Sequence, residues 1–339
     1  MNYHRKPTMA LAAALAAAIG VSSLTAALAQ DDPGGEAAPT VAAALEVLDQ
    51  VNSGPKVTHP RSRTSGLLEF DAAPARIDVP VSPEQPIRIT LPESFDLPAI
   101  AMGLPQEFAR NEGVAMGGGT VIYDAPAQAS QAAVQVLEDG SLRAETVTWN
   151  ADAPHEFTYD FGDSFTPVVL DDGSATLTLP FSTGASLAVA TIDAPWAIDA
   201  EDNPVETTYR ADGSMLIQTI AHRADTAYPV VSDPRLTFGW GVYLNMFGDE
   251  IKAVASAVVA AGGAAAVAVC SGLPKLPGVL SKFAAAVCTA IGAPTLKTLY
   301  QAIVDIASNT TISNGKCYQT KIVPMNREWT VVGVKNCTG

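Results

Sequence analysis

The sequence predicts an α+β, multidomain protein: an antiparallel, sandwich-like β domain followed by a small disulfide-stabilised helical domain that ends in a β-hairpin. Three observations carry this reading. Between about Gly66 and Asp233, short strand-like runs follow one another with no helical run among them, the pattern of an antiparallel sandwich or barrel. Beyond Arg235 the chain turns apolar and helix-like, and all four cysteines lie there. The charge balance changes at the same point: Gln30 to Arg235 carries 10 Lys and Arg against 31 Asp and Glu, whereas Leu236 to Gly339 carries 8 against 4.

Residues 1–29 read as a secretory signal peptide. His4, Arg5 and Lys6 form a basic start, Met9 to Val21 an apolar core, and Ala27-Leu28-Ala29 a cleavage signal that places the cut before Gln30. Arg5-Lys6 is not a twin-arginine pair, which points to the general secretory route. Residues 30–65 read as a leader helix and linker. Val41, Leu45 and Leu48 recur at helical spacing within Thr40 to Val51, with Thr40 as the N-cap, and Asn52 to Arg63 is polar and rich in turn formers.

Residues 66–235 form the acidic β domain. Ala132, Val134 and Val136 alternate with other residues, Asp139-Gly140 supplies a tight turn, and Leu142, Ala144, Thr146 and Thr148 return. The same Asp-Gly signal stands at Asp172-Gly173 and Asp212-Gly213. The acidic residues are expected at turns and on solvent-facing strand positions. The domain closes with Tyr228-Pro229-Val230-Val231-Ser232-Asp233-Pro234, which reads as an exposed connection, and Asp233, Pro234 and Arg235 are a candidate processing junction.

Residues 236–339 form the apolar helical domain. Helices are expected over Asp249 to Cys270, Val279 to Ile291 and Thr295 to Ala307; the acidic pair Asp249-Glu250 favours the first helix N-terminus. Asn314-Gly315 then turns the chain into a hairpin of two runs, Lys316 to Val323 and Trp329 to Lys335, around Pro324 to Arg327. Folding those runs together brings Cys317 near Cys337, and Cys270 pairs with Cys288 by elimination. Cys270 ends one helix while Cys288 lies inside the next, so that second bridge needs crossed helices or a folded-back loop.

The net charge of −15 excludes a general nucleic-acid binder, which needs a cationic surface to displace phosphate counterions. No cofactor or metal is expected, because His59, His155 and His222 belong to no zinc spacing. Gly162-Asp163-Ser164-Phe165 has the look of a serine-hydrolase nucleophile block, and Asp152-Ala153-Pro154-His155 has the spacing of its partner. The His precedes the Ser, however, and the region is β, so a turn between strands is the better reading. Gly117-Gly118-Gly119 leads into a strand rather than a helix, which suits a hinge better than an anion loop. His222 near Asp225 resembles a base and its orienter, or a strand-end His beside a loop Asp. Asn309 and Asn336 head N-glycosylation patterns. The uncharged run Ala253 to Val269 allows transient membrane contact, although its Ala and Gly content suits close helix packing better.

The block Ala194-Pro195-Trp196-Ala197-Ile198-Asp199-Ala200, then Val205, Thr207, Tyr209, Gly213, Leu216, Gln218 and His222, runs into the Tyr228 to Pro234 segment. It resembles secreted actinobacterial proteins of unassigned function in which a β domain closes with Tyr-Pro-Val-Val-x-Asp-Pro before a variable C-terminal part. The resemblance covers about Gly66 to Trp240 and implies an extracellular two-part protein; it carries no activity and no catalytic residues. The first functional expectation is therefore a secreted, non-enzymatic protein that binds an extracellular or envelope partner. A second is a precursor in which the acidic β domain masks a cationic, bacteriocin-like, membrane-active C-terminal domain until cleavage near Asp233 to Arg235. A hydrolase is the third.

Overall fold

The computed structural model describes residues 39–52, 54–92, 97–109, 111–181, 184–238, 241–264, 278–291 and 293–338. The signal segment with Ala27, Ala29 and Gln30 lies outside them, as do Cys270 and the end of the Ala253 to Val269 run. Helix α1 (Val41–Val51) begins where the sequence predicts: Thr40 Oγ1 accepts the Ala43 N–H at 3.2 Å. Strands β1 (Ser62–Arg63), β2 (Leu67–Ala72), β3 (Ala75–Pro80), β4 (Ile87–Thr90) and β5 (Ile100–Met102) form an antiparallel meander in chain order.

Three further antiparallel connections start the large sheet: β6 (Val114–Ala115), β7 (Val121–Ala125), β8 (Ser130–Val136) and β9 (Leu142–Thr148). Strand β10 (Glu156–Asp160) leaves it, while β11 (Thr166–Val169), β12 (Ala175–Pro180) and β13 (Ser186–Ile192) form a second meander within it. After the short β14 (Ala197–Ile198), the hairpin β15 (Thr207–Asp212) and β16 (Met215–Ile220) joins β10 in a three-stranded sheet. The three Asp-Gly signals stand at the β8–β9, β11–β12 and β15–β16 turns, with φ of 81°, 86° and 58° at Gly140, Gly173 and Gly213. In the first two, the Asp carboxylate also accepts the N–H and hydroxyl of the following Ser.

The segment at the charge boundary is the seam of the large sheet. Strands β17 (Val230–Ser232) and β18 (Arg235–Thr237) both pair with β9, and β18 also pairs with β13. Beyond it, β19 (Val242–Phe247) pairs with β13 on one side and β20 (Cys317–Val323) on the other, and β21 (Met325–Val332) forms the edge. The sequence reading divides the chain at Arg235; the structure instead carries one sheet across that residue, because β17 and β18 find their partners in the distant strands β9 and β13. Nor is the junction an exposed connection: Asp233 is 0% exposed and Ser232 and Val231 1% each.

Helices α2 (Gly248–Ala260), α3 (Gly278–Ile291) and α4 (Ala293–Asn309) join the same core. Ile251, Val254, Phe283, Leu299, Tyr300 and Ile303 belong to one apolar cluster with Val134, Leu187, Leu236 and Leu244 of the sheet. The helices therefore cover one face of the β framework rather than building a core of their own. Gly248 is required where β19 meets α2, since a Cβ there would lie 2.2 Å from the Ser313 carbonyl oxygen. Among the described residues, no helix is long and apolar enough to cross a membrane.

The Cys317–Cys337 bridge forms as expected, with Cα atoms 5.8 Å apart. Strand β21 begins at Met325, earlier than the predicted Trp329, and Cys337 lies in the short helical turn Val334–Cys337 that follows it. Cys288 is also disulfide-bonded. Its expected partner, Cys270, lies outside the described residues.

Strands β8 and β9 are buried along their whole lengths. One face meets the main core; the other is covered by α1, whose Ala44 and Leu48 pack on Ile122, Ala133, Val147 and Val231. That second layer explains why polar residues on alternate positions of β8 and β9 do not reach solvent.

Candidate functional site

The face of the large sheet turned away from the main core carries a groove whose walls follow from strand register. Side chains alternate along each strand, so opposed residues share a face. Leu142 and Leu236, opposite each other, enter the core; their neighbours Arg143 and Arg235, also opposite each other, take the other face. The same register lines up Thr176, Thr191 and Thr237 across β12, β13 and β18. Ala188, Tyr243 and Lys321 form a second row across β13, β19 and β20, and Ser186, Asn245, Gln319 and Thr330 a third.

The third row is bonded side to side. Gln319 Nε2 donates to Asn245 Oδ1 at 2.9 Å, Asn245 Nδ2 to Ser186 Oγ at 3.5 Å, and Thr330 Oγ1 to the Gln319 carbonyl at 3.5 Å. Lys321 Nζ sits 5.7 Å from the centre of the Tyr243 ring. Above these rows opens a cleft of about 600 Å³, bordered by Asp172, Thr191, Asp193, Tyr243, Gln319 and Asn336. A second cleft of about 400 Å³ is bordered by Asn52, Arg143, Asp193, Trp196, Asp233 and Arg235. The two meet at Asp193.

Two guanidinium groups side by side on neighbouring strands would repel; here each has its own carboxylates. Arg235 bonds Asp139 at 2.5 Å, donates to Ser141 Oγ at 3.1 Å and lies 3.6 Å from Asp193. Arg143 lies 3.8 Å from the buried Glu145, which also accepts Asn52 Nδ2 at 3.1 Å. Burial pushes the Glu145 carboxyl up to about 7, against the opposing pull of Arg143 and Asn52. Asp139 is held below the usual carboxylate range: burial opposes this, but the bonds from Ser141 and the charge of Arg235 prevail.

Behind the second cleft lies Asp233. Its Oδ1 accepts the Trp196 N–H at 3.0 Å and Gln218 Nε2 at 3.2 Å. Its Oδ2 and Gln218 Oε1 are buried with no well-aligned hydrogen bond, and the Tyr209 hydroxyl lies close by. Burial raises the Asp233 carboxyl to about 8, and the charge of Glu145 adds to the rise while Trp196 and Tyr209 oppose it. Asp233 is thus held largely as a neutral acid at pH 7.

The hydrolase candidates do not converge. Ser164 is exposed in the turn between β10 and β11 and makes no side-chain hydrogen bond among the described residues. His155 instead bonds the Ile220 carbonyl at 3.1 Å and stacks on His222, ring centres 4.1 Å apart. Asp225 is not the partner of His222. That ring bonds Tyr228 Oη at 2.8 Å and the Pro154 carbonyl at 3.1 Å, and burial, with His155 adding, holds it below the usual imidazole range. His59 is exposed. Gly117–Gly119 is a tight turn rather than a hinge: a Cβ at Gly119 would lie 2.5 Å from the Thr58 carbonyl oxygen. Among the described residues, no three His, Cys, Asp or Glu side chains gather as a metal site.

Asp193, Tyr243, Gln319 and the Arg143–Glu145 pair carry no motif, and sequence reasoning passed over them. The available signal was charge on alternate strand positions at Arg143 and Glu145, which a solvated face would show equally. No family model, no curated protein and no solved structure matches this chain.

Proposed function

We propose that the chain is a secreted, non-enzymatic binding protein that engages an extracellular or cell-envelope partner through the groove centred on Asp193. The observation that carries this reading is the meeting of two clefts at that residue, where Gln319 is held by a bond to the buried Asn245 and Arg235 by Asp139 and Asp193. A binding surface gains affinity when its groups are already ordered, because less conformational freedom is lost on association. The histidines support the same reading, since the two ring nitrogens of His222 link Pro154 to Tyr228 and Nδ1 of His155 is bonded to the Ile220 carbonyl. In this reading the smaller sheets and the large sheet act together as a sandwich-like scaffold that presents the groove.

The test is photo-crosslinking from a benzoyl-phenylalanine placed at Thr191, with the mature chain added to intact cells of the producing organism. Groove-dependent capture appears as an adduct lost when Asp193 is replaced by Ala in the same background. An adduct pattern unchanged by that replacement refutes the reading.

A further inference from the structure

Resting on the binding reading above, we infer that the groove takes an uncharged polysaccharide chain, bound through its hydroxyl groups. The lining sets planar polar groups and aromatic rings beside aliphatic side chains such as Leu170 and Ile192. Asp172 and Asp193 offer carboxylate acceptors, Arg235 a guanidinium donor, Gln319 and Asn336 amides, and Tyr243 and Trp196 ring surface. A sugar hydroxyl donates one hydrogen bond and accepts others, so a carboxylate beside a guanidinium or an amide can satisfy both roles at once. The C–H face of a pyranose ring lies well on an aromatic side chain, which supplies apolar contact without demanding an apolar ligand.

Charge balance narrows the class. Arg235 is already paired with Asp139 and Asp193 and Arg143 is buried beside Glu145, so a polyanion finds no free cation among the residues bordering the second cleft. Asp172, exposed at its turn, accepts two bonds from Ser174 on Oδ1, and neighbouring Asp171 is paired with Lys335 at 3.1 Å. A net charge of −15 repels polyanions from the whole surface and leaves a polycation as the competing occupant to be tested. The two clefts together form an open run rather than a closed pocket, which suits a chain and not a single small molecule.

Calorimetric titration of the mature full-length chain tests this, with cellohexaose and N-acetylchitohexaose as neutral probes and heparin and hexalysine as charged ones. At least one neutral hexasaccharide is expected to bind, and Asp193→Ala and Tyr243→Ala should each weaken it at least tenfold. Asp172→Ala, at an exposed turn, serves as a third groove variant if either of those fails to give a native melting curve. Val114→Ser, on an edge strand far along the sheet order, should leave affinity unchanged. Absence of binding to both neutral probes, tighter binding of either charged probe, or affinity untouched by the groove variants overturns the proposal. The two readings fail separately. A groove-dependent crosslink to a polypeptide that neither hexasaccharide displaces sinks the polysaccharide assignment and spares the binding function; loss of both signals sinks both.

Discussion

Replacing Asp233 by Asn should stabilise the protein in mildly alkaline solution and flatten its response to pH. The unfolded chain ionises Asp233 near 3.8, whereas burial in the fold raises the carboxyl to about 8, a difference that corresponds to roughly 6 kcal/mol. For an acid whose folded value is raised, the folded state holds the proton more tightly. Its contribution is therefore fully favourable below the unfolded value and is lost as the pH climbs through the window to the folded one. Glu145 acts in the same direction from 4.5 to about 7, worth roughly 3 kcal/mol, and its charge opposes ionisation of Asp233. Asn keeps the oxygen that accepts the Trp196 and Gln218 donors and removes the ionisable group. Urea unfolding followed by tryptophan fluorescence at pH 5 and pH 8 reads the effect. The wild type should lose several kcal/mol over that interval, on the order of half its total stability, and Asp233→Asn should lose less than half as much. An equal slope in both proteins, or a variant less stable than wild type at pH 8, would falsify the assignment of Asp233 as a buried neutral acid.

Three other outcomes are expected. Replacing Cys317 and Cys337 together by Ser opens a loop with a sequence separation of 20 and should destabilise the fold by about 3 kcal/mol, seen as a lower thermal midpoint in scanning calorimetry. Gly140→Ala should destabilise by about 2 kcal/mol in the same assay, because φ is 81° and the new Cβ would lie 2.5 Å from the Ala73 carbonyl oxygen. Trypsin added to the native protein should cut after exposed Lys316 well before Arg235, which is held in β18; early fragments ending at Arg235, identified by mass spectrometry, would show that the seam opens in the folded state.

Much of the fold was legible because its signals are local. Thr40 caps α1, Asp139-Gly140 and its two counterparts close hairpins, and the placing of Cys317 and Cys337 around a turn brings the two together. The seam was not legible, since Val230 to Thr237 is short, contains Pro234 and finds its partners in β9 and β13, far off in sequence. Nothing in its own residues distinguishes it from a linker. The buried polar layer was hidden for a different reason: Arg143 and Glu145 alternate with apolar residues as a solvated strand face would, and only the docking of α1, with Asn52 at its end, takes them from water. The groove combines both difficulties, as its rows are assembled from β12, β13, β18, β19 and β20 by register alone.

The position of the seam also dictates the order in which the molecule can be completed. Strands β6 to β9 and β11 to β13 are each joined by short local connections and can pair as soon as they exist. The two groups become one sheet only when β17 and β18 arrive, and the far edge waits for β20 and β21 near the end of the chain. A ribosome or a translocation channel delivering this protein from its N-terminus therefore releases two incomplete sheets first. Final assembly is deferred until almost the last residue has emerged.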